Sequence, residues 1–333
     1  MDTNLEKRIS IALCTYNGER FLKEQLDSIA AQTIPPFELV VCDDMSSDST
    51  IDILESFAAT ASFPVKLYLN TTNLGFVKNF EKSISLCNGD IIFLSDQDDR
   101  WRKDKLEKML VPFSNPKVGM VFSNALIVNK NGETTGRFLW EAAYFNPEMQ
   151  KDFRAGDAYK TLYLKTIVSG CTMAFRRKLW PQIQPLPTEI LFIHDAWIAL
   201  MTSLLANVCI IDEPLIDYRL HSGQSVAFER RKISAQENVL KARTGLKNDH
   251  YQKHLKQLMI VRERIQELNE HITTEKANFL LRCMEEHEKH LSFRVNIPQN
   301  KIVRCLCVAK EVYTGRYHHF SNGLRSAVAD MLR

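Results

Sequence analysis

Two acidic clusters follow apolar runs in this chain: Asp43-Asp44 after Leu39-Val40-Val41-Cys42, and Asp96, Asp98 and Asp99 after Ile91-Ile92-Phe93-Leu94. Neither has a Lys or Arg among its carboxylates. Gathering anions in this way costs free energy unless a cation joins them, and an all-oxygen donor set favours a hard divalent ion, Mg²⁺ or Mn²⁺. Alternate residues at a strand end point the same way, so Asp96 and Asp98 can face one ion while Gln97 turns aside. Such ions usually complete their shell with substrate phosphates, which implies a nucleoside diphosphate compound as substrate. A single solvated acidic loop is the bland alternative, weakened by two such turns at equivalent strand ends.

No glycine loop of the GxGxxG or GxxxxGK[ST] type accompanies the acids, which argues against a dinucleotide oxidoreductase and a P-loop NTPase. Base and ribose would then fall to Thr15, Tyr16 and the Asp43-Asp44 pair, through stacking and carboxylate hydrogen bonds; Tyr16 can equally be a core aromatic. Displacing a nucleoside diphosphate needs its departing charge neutralised, by the metal and a cation such as Arg219. It also needs a base for the incoming hydroxyl, which suits a carboxylate remote in sequence from the metal pair, and Asp195 qualifies. A helix cap is the alternative for Asp195, and a structural role the alternative for His194 beside it.

These residues must be positioned by elements that the patterning makes legible. Strands are expected at Ile9–Thr15, Phe37–Cys42, Val65–Leu69 and Ile91–Leu94. Helices are expected around Phe21–Gln32, Thr50–Ala59, Val77–Leu86 and Lys103–Phe113, the second capped from Ser46-Ser47-Asp48-Ser49. This βαβ alternation predicts an α/β fold with a mostly parallel sheet and ligands beyond the carboxyl ends of its strands. Two short strands follow at Val118–Ser123 and Leu126–Asn129, with a turn at Asn131-Gly132, and two more at Val208–Ile211 and Leu215–Leu220. Between them the apolar stretch Ala196–Ile211 is too short and polar for a membrane span and suits a buried helix running into a strand.

Beyond Glu229 the chain turns helical. Leu258, Val261, Ile265, Leu268 and Ile272 form a heptad-like stripe, expected to pack within its own domain rather than as a coiled-coil dimer. The domain reading is residues 1–228, with halves 1–124 and 125–228, followed by a basic helical region 229–333.

The 333 residues carry a net charge of only +3, too small to advertise a nucleic-acid partner. Residues 235–333, however, hold 17 Lys/Arg against 11 Asp/Glu. A solvated helical face explains this blandly; an anionic surface, such as the inner face of the cytoplasmic membrane, is the functional alternative. The eight cysteines form no CxxC pair and several sit in apolar runs, as expected of reduced core residues in a cytoplasmic protein. No signal peptide is expected from the charged start Met-Asp-Thr-Asn-Leu-Glu-Lys-Arg. His318-His319 is expected at the surface.

Four ordered segments resemble a known family. Ile11-Ala12-Leu13-Cys14-Thr15-Tyr16-Asn17-Gly18, Val41-Cys42-Asp43-Asp44-Met45-Ser46-Ser47-Asp48, Asn73-Leu74-Gly75 and Ser95-Asp96-Gln97-Asp98-Asp99-Arg100-Trp101 resemble the family-two glycosyltransferases of the GT-A fold, over roughly residues 8–225. Among these the likeness is to bacterial enzymes of O-antigen, capsule and exopolysaccharide assembly, rhamnosyltransferases included. The resemblance implies that Thr15, Tyr16, Asn17, Asp43 and Asp44 hold the nucleotide. It also makes Asp96 and Asp98 the DxD pair, with Asp98 the more direct metal ligand and Asp96 toward the donor. Asp195 takes the place of the catalytic base, with His194 where the family has Glu. Tyr218-Arg219-Leu220-His221 resembles a segment that closes on the diphosphate, and Gly170 falls near the acceptor groove. Trp197 offers a ring face for a sugar; both it and Gly170 have core alternatives. Processive members carry Gln-x-x-Arg-Trp and several membrane helices, neither of which is found, so a single addition is favoured.

The expectation is therefore an inverting, metal-dependent transferase. It would move one sugar from dTDP-rhamnose or a UDP-hexose to a cell-surface or polyprenyl-diphosphate-linked glycan precursor. Its rivals are a nucleotide-sugar nucleotidyltransferase and a noncatalytic nucleotide-binding scaffold. A glycoside hydrolase is least suited, since its two acids must oppose each other across a sugar.

Overall fold

The computed structural model describes residues 7–221 and 246–332. The chain divides into two compact units, Met1–Thr188 with Phe192–Phe228, and Glu189–Leu191 with Glu229–Arg333.

The first unit is built on one nine-stranded mixed sheet flanked by helices. In chain order its strands are β1 (Ile9–Thr15), β2 (Glu38–Asp43), β3 (Val65–Leu69), β4 (Ile91–Ser95), β5 (Arg100–Trp101), β6 (Val118–Val128), β7 (Thr134–Phe138), β8 (Met173–Arg176) and β9 (Asn207–Arg219). They lie in the order β3-β2-β1-β4-β8-β6-β9-β5, with β7 paired to β6. The first four are mutually parallel, as the βαβ pattern predicts, and β8 runs antiparallel between β4 and β6. Since β6 and β9 are parallel to each other, β1, β2, β4, β6 and β9 all end on one edge. Every residue of β1, β2 and β4 is buried, which explains their continuous apolar runs.

The helices are α1 (Leu22–Ala30), α2 (Thr50–Thr60), α3 (Gly75–Leu86), α4 (Lys105–Leu110) and the short α5 (Leu139–Ala142), α6 (Pro147–Ala155), α7 (Ala158–Leu162) and α8 (Trp180–Ile183), then α9 (His194–Leu205). α1 buries Leu22, Leu26 and Ile29, spaced for one helical face. At the start of α2 the N-cap residue Ser49 makes no side-chain cap bond, and Asp48 before it accepts the Thr50 N–H on Oδ1 at 3.0 Å. Unlike α1, α9 is buried over nearly its whole length and apolar all round, so no amphipathic period marks it.

Three expectations change. The two strands expected around Val118–Asn129 are one, because β6 continues through the interruption against β9 with a register shift; the proposed division at residue 124 therefore falls inside a strand. The pair expected at Val208–Leu220 is likewise the single strand β9. The helix expected to Phe113 breaks to a 3₁₀ turn at Val111–Ser114, with Pro112 inside it.

The second unit consists of α10 (Leu246–Glu267), α11 (Thr274–Val295), α12 (Lys301–Tyr313), α13 (Arg316–Phe320) and α14 (Leu324–Met331). The stripe from Leu258 to Ile272 is buried, and α10 packs along α11. Val308, Tyr317 and Ala327 form a small core of their own, with Phe293 and Val312 against it. No helix among the described residues is long and apolar enough to cross a membrane.

Candidate active site

The shared edge of the sheet gathers the acidic clusters because β2, β1 and β4 are neighbours that end together. The turn after β1 and the turn after β2 interlock. Asn17 N donates to Ser46 Oγ at 2.8 Å, Ser47 N to Asn17 Oδ1 at 2.9 Å, and Gly18 N to Thr50 Oγ1 at 2.8 Å. Asn17 and Met45 take left-handed φ values of 47° and 68°, sharp corners that these cross-bonds hold. Gln97 turns to Tyr16, whose N–H it accepts at 2.9 Å and whose carbonyl it donates to at 3.0 Å. A Cβ on Gly18 would stand 2.3 Å from Gln97 Oε1, so a larger residue there would push the Gln97 amide away from Tyr16.

Several residues expected to hold the nucleotide bond to the turns around them. Thr15 Oγ1 donates to Asp43 Oδ1 at 2.7 Å, and Ser46 N to Asp43 Oδ2 at 2.8 Å, with Thr15 and Asp43 both buried. Buried Asp44 accepts from Asn70 Nδ2 at 2.8 Å, Leu74 N at 2.7 Å and Gly75 N at 2.8 Å, thereby fixing the Asn73-Leu74-Gly75 turn. These three side chains are committed to the turns that surround them, because strand-end carboxylates this deep must be satisfied locally. Tyr16 is not a core aromatic: it is 52% exposed, on the rim with Met45 and Leu74.

Around β4 the carboxylates stay close. The side-chain ligand atoms of Asp96, Asp99 and Cys171 lie within 4.8 Å of one another. Burial, then the charges of Asp98, Asp99 and Asp195, push the Asp96 carboxyl well up. Burial and Asp98 raise Asp99 to about 7. Asp99 Oδ1 accepts the Arg219 N–H at 3.1 Å, whereas its Oδ2 is buried without a hydrogen bond. Like charges this close are what a bound divalent ion relieves, so the residues fit one. Asp98, the other half of the expected Asp96–Asp98 pair, lies outside this grouping. Asp98 Oδ2 is held by His221 Nε2 at 2.8 Å, while the β4–β8 pairing brings Cys171, which the sequence pattern did not single out as a ligand, up to Asp99.

Arg219 is drawn into the acidic turn. It is 2% exposed, its Nε donates to the Asp98 carbonyl at 2.8 Å, its Nη2 pairs with Glu24 Oε2 at 2.5 Å, and its guanidinium lies over the Phe21 ring. A guanidinium so engaged braces the acidic turn. β9 brings it there because Trp101 and Arg100 of β5 pair with Ile216 and Asp217. Trp101 is buried, as packing requires, with the Lys105 ammonium 4.8 Å from the centre of its ring. That buried ammonium donates to the Cys171 carbonyl at 3.0 Å, and burial lowers its pKa to about 8.

Asp195 arrives from the first turn of α9. Its Oδ2 accepts the Gly170 N–H at 3.1 Å and its Oδ1 the Ala196 N–H at 2.6 Å, yet burial outweighs both and raises its pKa to about 7. Its charge is felt at Asp96, which joins it electrostatically to the acidic cluster. His194 stacks on Phe80 with centroids 4.2 Å apart, both ring nitrogens lack a partner, and burial lowers its pKa to about 3. Gly170 makes room for it: a Cβ there would lie 2.9 Å from His194 Nε2. Trp197 is 2% exposed and donates Nε1–H to the Ile183 carbonyl at 2.9 Å. It is therefore a core residue, and the ring face expected for a sugar is not available.

The order of strands, the acidic edge and the remote carboxylate define a glycosyltransferase of the GT-A fold. The sequence profile of glycosyl transferase family 2 matches residues 10–183, and the chain belongs to that family. The putative teichuronic acid biosynthesis glycosyltransferase TuaG of Bacillus subtilis is 24% identical over 67% of this chain and 84% of its own. Among solved structures, TarS (residues 1–349) of S. aureus in complex with UDP-GlcNAc has TM-score 0.58 at 18% identity, covering 92% of this chain and 80% of that one. The mannosyltransferase PcManGT of Pyrobaculum calidifontis, in complex with GDP-Man and Mn²⁺, has TM-score 0.51 at 16% identity, covering 99% and 88%.

Proposed function

We propose that the protein is an inverting, metal-dependent transferase that moves a single sugar from a nucleotide-sugar donor to a hydroxyl of a glycan precursor in the cytoplasm. The observation that carries this reading is Asp195: a buried carboxylate from a separate element, held by two backbone N–H groups and electrostatically joined to Asp96. Asp195 takes the proton of the acceptor hydroxyl, whose oxygen forms the new bond to the anomeric carbon. The bond from that carbon to the diphosphate breaks, and its electron pair leaves with the nucleoside diphosphate. In-line attack inverts the anomeric centre.

Asp96 and Asp98, with Asp99 behind them, are the residues that would hold Mg²⁺ or Mn²⁺, and the ion supplies charge neutralisation at the leaving diphosphate. The complex of PcManGT with GDP-Man and Mn²⁺ supports a metal-dependent reading. Arg219 and Glu24 keep the acidic turn in shape, and His221 orients Asp98. Tyr16 and Asn17 stand where the base and ribose would lie, on a frame set by Thr15, Asp43 and Asp44. Gly170 and His194 shape the acceptor side around Asp195.

The donor is dTDP-rhamnose or a UDP-hexose, and the acceptor a cell-surface polysaccharide or polyprenyl-diphosphate-linked precursor; the name of TuaG supports a polysaccharide setting. The test is thermal melting of the full chain against UDP-, dTDP- and GDP-sugars with Mn²⁺, Mg²⁺ or EDTA, beside Asp98→Ala. A ligand bound only to the native state raises the midpoint. A shift for one nucleotide class that needs metal and vanishes in Asp98→Ala is expected. Shifts indifferent to both EDTA and Asp98→Ala would remove the metal assignment. Donor binding without transfer to any acceptor, unchanged in Asp195→Asn, would favour the scaffold.

A further inference from the structure

Residues 296–333 contain two carboxylates, Glu311 and Asp330, and both point inward. Glu311 pairs with His290 Nδ1 at 2.9 Å and Arg316 Nη1 at 3.0 Å; Asp330 takes Arg294 Nε at 2.7 Å and the Tyr317 hydroxyl at 2.9 Å. The charges left exposed on α12 and α14 are Lys301, Lys310 and Arg325, all cationic.

The apolar residues are distributed the other way. On α12 the inward face carries Arg304, Val308 and Glu311, while Ile302, Leu306 and Tyr313 share the outward face and are 74%, 68% and 93% exposed. On α14, Ala327 and Asp330 face inward, and Leu324, Val328 and Leu332, each four residues apart, are 57%, 53% and 65% exposed. The two helices pack against each other. Both therefore hide their acids and show water a row of large apolar side chains rimmed by cations, the reverse of an ordinary surface helix.

We propose that the outer face of α12 and α14 is a docking surface for anionic lipid. Its apolar row would enter the boundary between headgroups and acyl chains, with Lys301, Lys310 and Arg325 over the lipid phosphates. Charge decides between lipid and a second copy. A two-fold interface would bring the same cations together with no exposed carboxylate on either helix to meet them, whereas an anionic bilayer supplies the missing sign. This inference goes beyond the transferase reading and does not depend on it.

Flotation of the full chain with vesicles tests it, using phosphatidylcholine alone and phosphatidylcholine mixed with phosphatidylglycerol. Two variants accompany it, Ile302→Ser/Leu306→Ser/Leu324→Ser/Val328→Ser and Lys301→Gln/Lys310→Gln/Arg325→Gln, each replacing exposed side chains only. Circular-dichroism melts check that both fold. The protein should float with the anionic vesicles, less so at high salt, and not with phosphatidylcholine. The cation variant should lose about a hundredfold in partitioning, and the apolar variant about tenfold or more. No flotation with the anionic vesicles, or equal flotation of the folded variants, overturns the proposal. So does a dimer in sedimentation equilibrium that the apolar variant abolishes while vesicles capture nothing, which would make the face a self-interface.

Discussion

Asp195 holds a buried carboxylate raised to about 7 by burial, and a base must be ionised to accept a proton. Its ionised fraction grows as pH rises through that value. We therefore expect kcat/KM to fall about tenfold per pH unit below pH ~7 and to level off above it, in a pH–rate profile taken with donor and metal saturating. Asp195→Asn should lower turnover by about a thousandfold or more while leaving donor affinity nearly unchanged, since the donor-facing acids are untouched. Calorimetric donor binding beside a transfer assay separates the two effects. Gly170→Ala is predicted to act on the same group indirectly. The added methyl would press on His194 Nε2 at 2.9 Å and approach Asp195 Cβ at 3.8 Å, so kcat should drop more than donor binding does. At this scale the sequence marks carboxylates that the fold brings to one edge of the sheet, but not the partners each of them meets there. Asp43, Asp44 and Arg219 have the types of a ligand-binding set, and only the structure shows how deep they lie and which groups they bond.

Elements converge on the acidic turn from three directions: α1 through Glu24, β5 through Arg100, and β9 through Arg219 and His221. Arg219 spans them with a planar fork that a lysine lacks. Arg219→Lys is expected to cost about 2–3 kcal/mol in urea unfolding, through lost charge-assisted hydrogen bonds inside a buried site. It should also weaken metal-dependent donor binding by releasing the Asp98 carbonyl. An unchanged unfolding midpoint would show that the brace contributes nothing. The strands flanking these turns were legible because buried parallel strands leave continuous apolar runs, as in Ile11–Cys14 and Ile91–Leu94. The length of β6 and β9 was not, because polar residues at Asn124 and at Asp212-Glu213 interrupt the apolar runs while pairing carries the strands through.

At the scale of the whole molecule, two units with separate cores should unfold as separate cooperative blocks. Scanning calorimetry of the full chain is expected to give a calorimetric enthalpy above the van't Hoff value, and a bound nucleotide sugar should move the transition of the sheet-containing unit only. A single coincident transition would show that the blocks are coupled. All eight cysteines are free thiols, so reducing agent should leave the melting curve unchanged.

The sequence by itself determined the class of fold, the family and the acidic turns, because these rest on short local patterns: apolar runs of strand length, polar residues at their ends, and spacing along one strand. Tertiary structure alone decided which of those polar residues face solvent and which support a neighbour. It paired Asp99 with Cys171 across β4 and β8, spent Arg219 on Glu24 and buried Trp197 against Ile183. It also turned the acids of α12 and α14 inward. Burial and partnership are properties of residues distant in the chain, and no local pattern encodes which distant group will arrive.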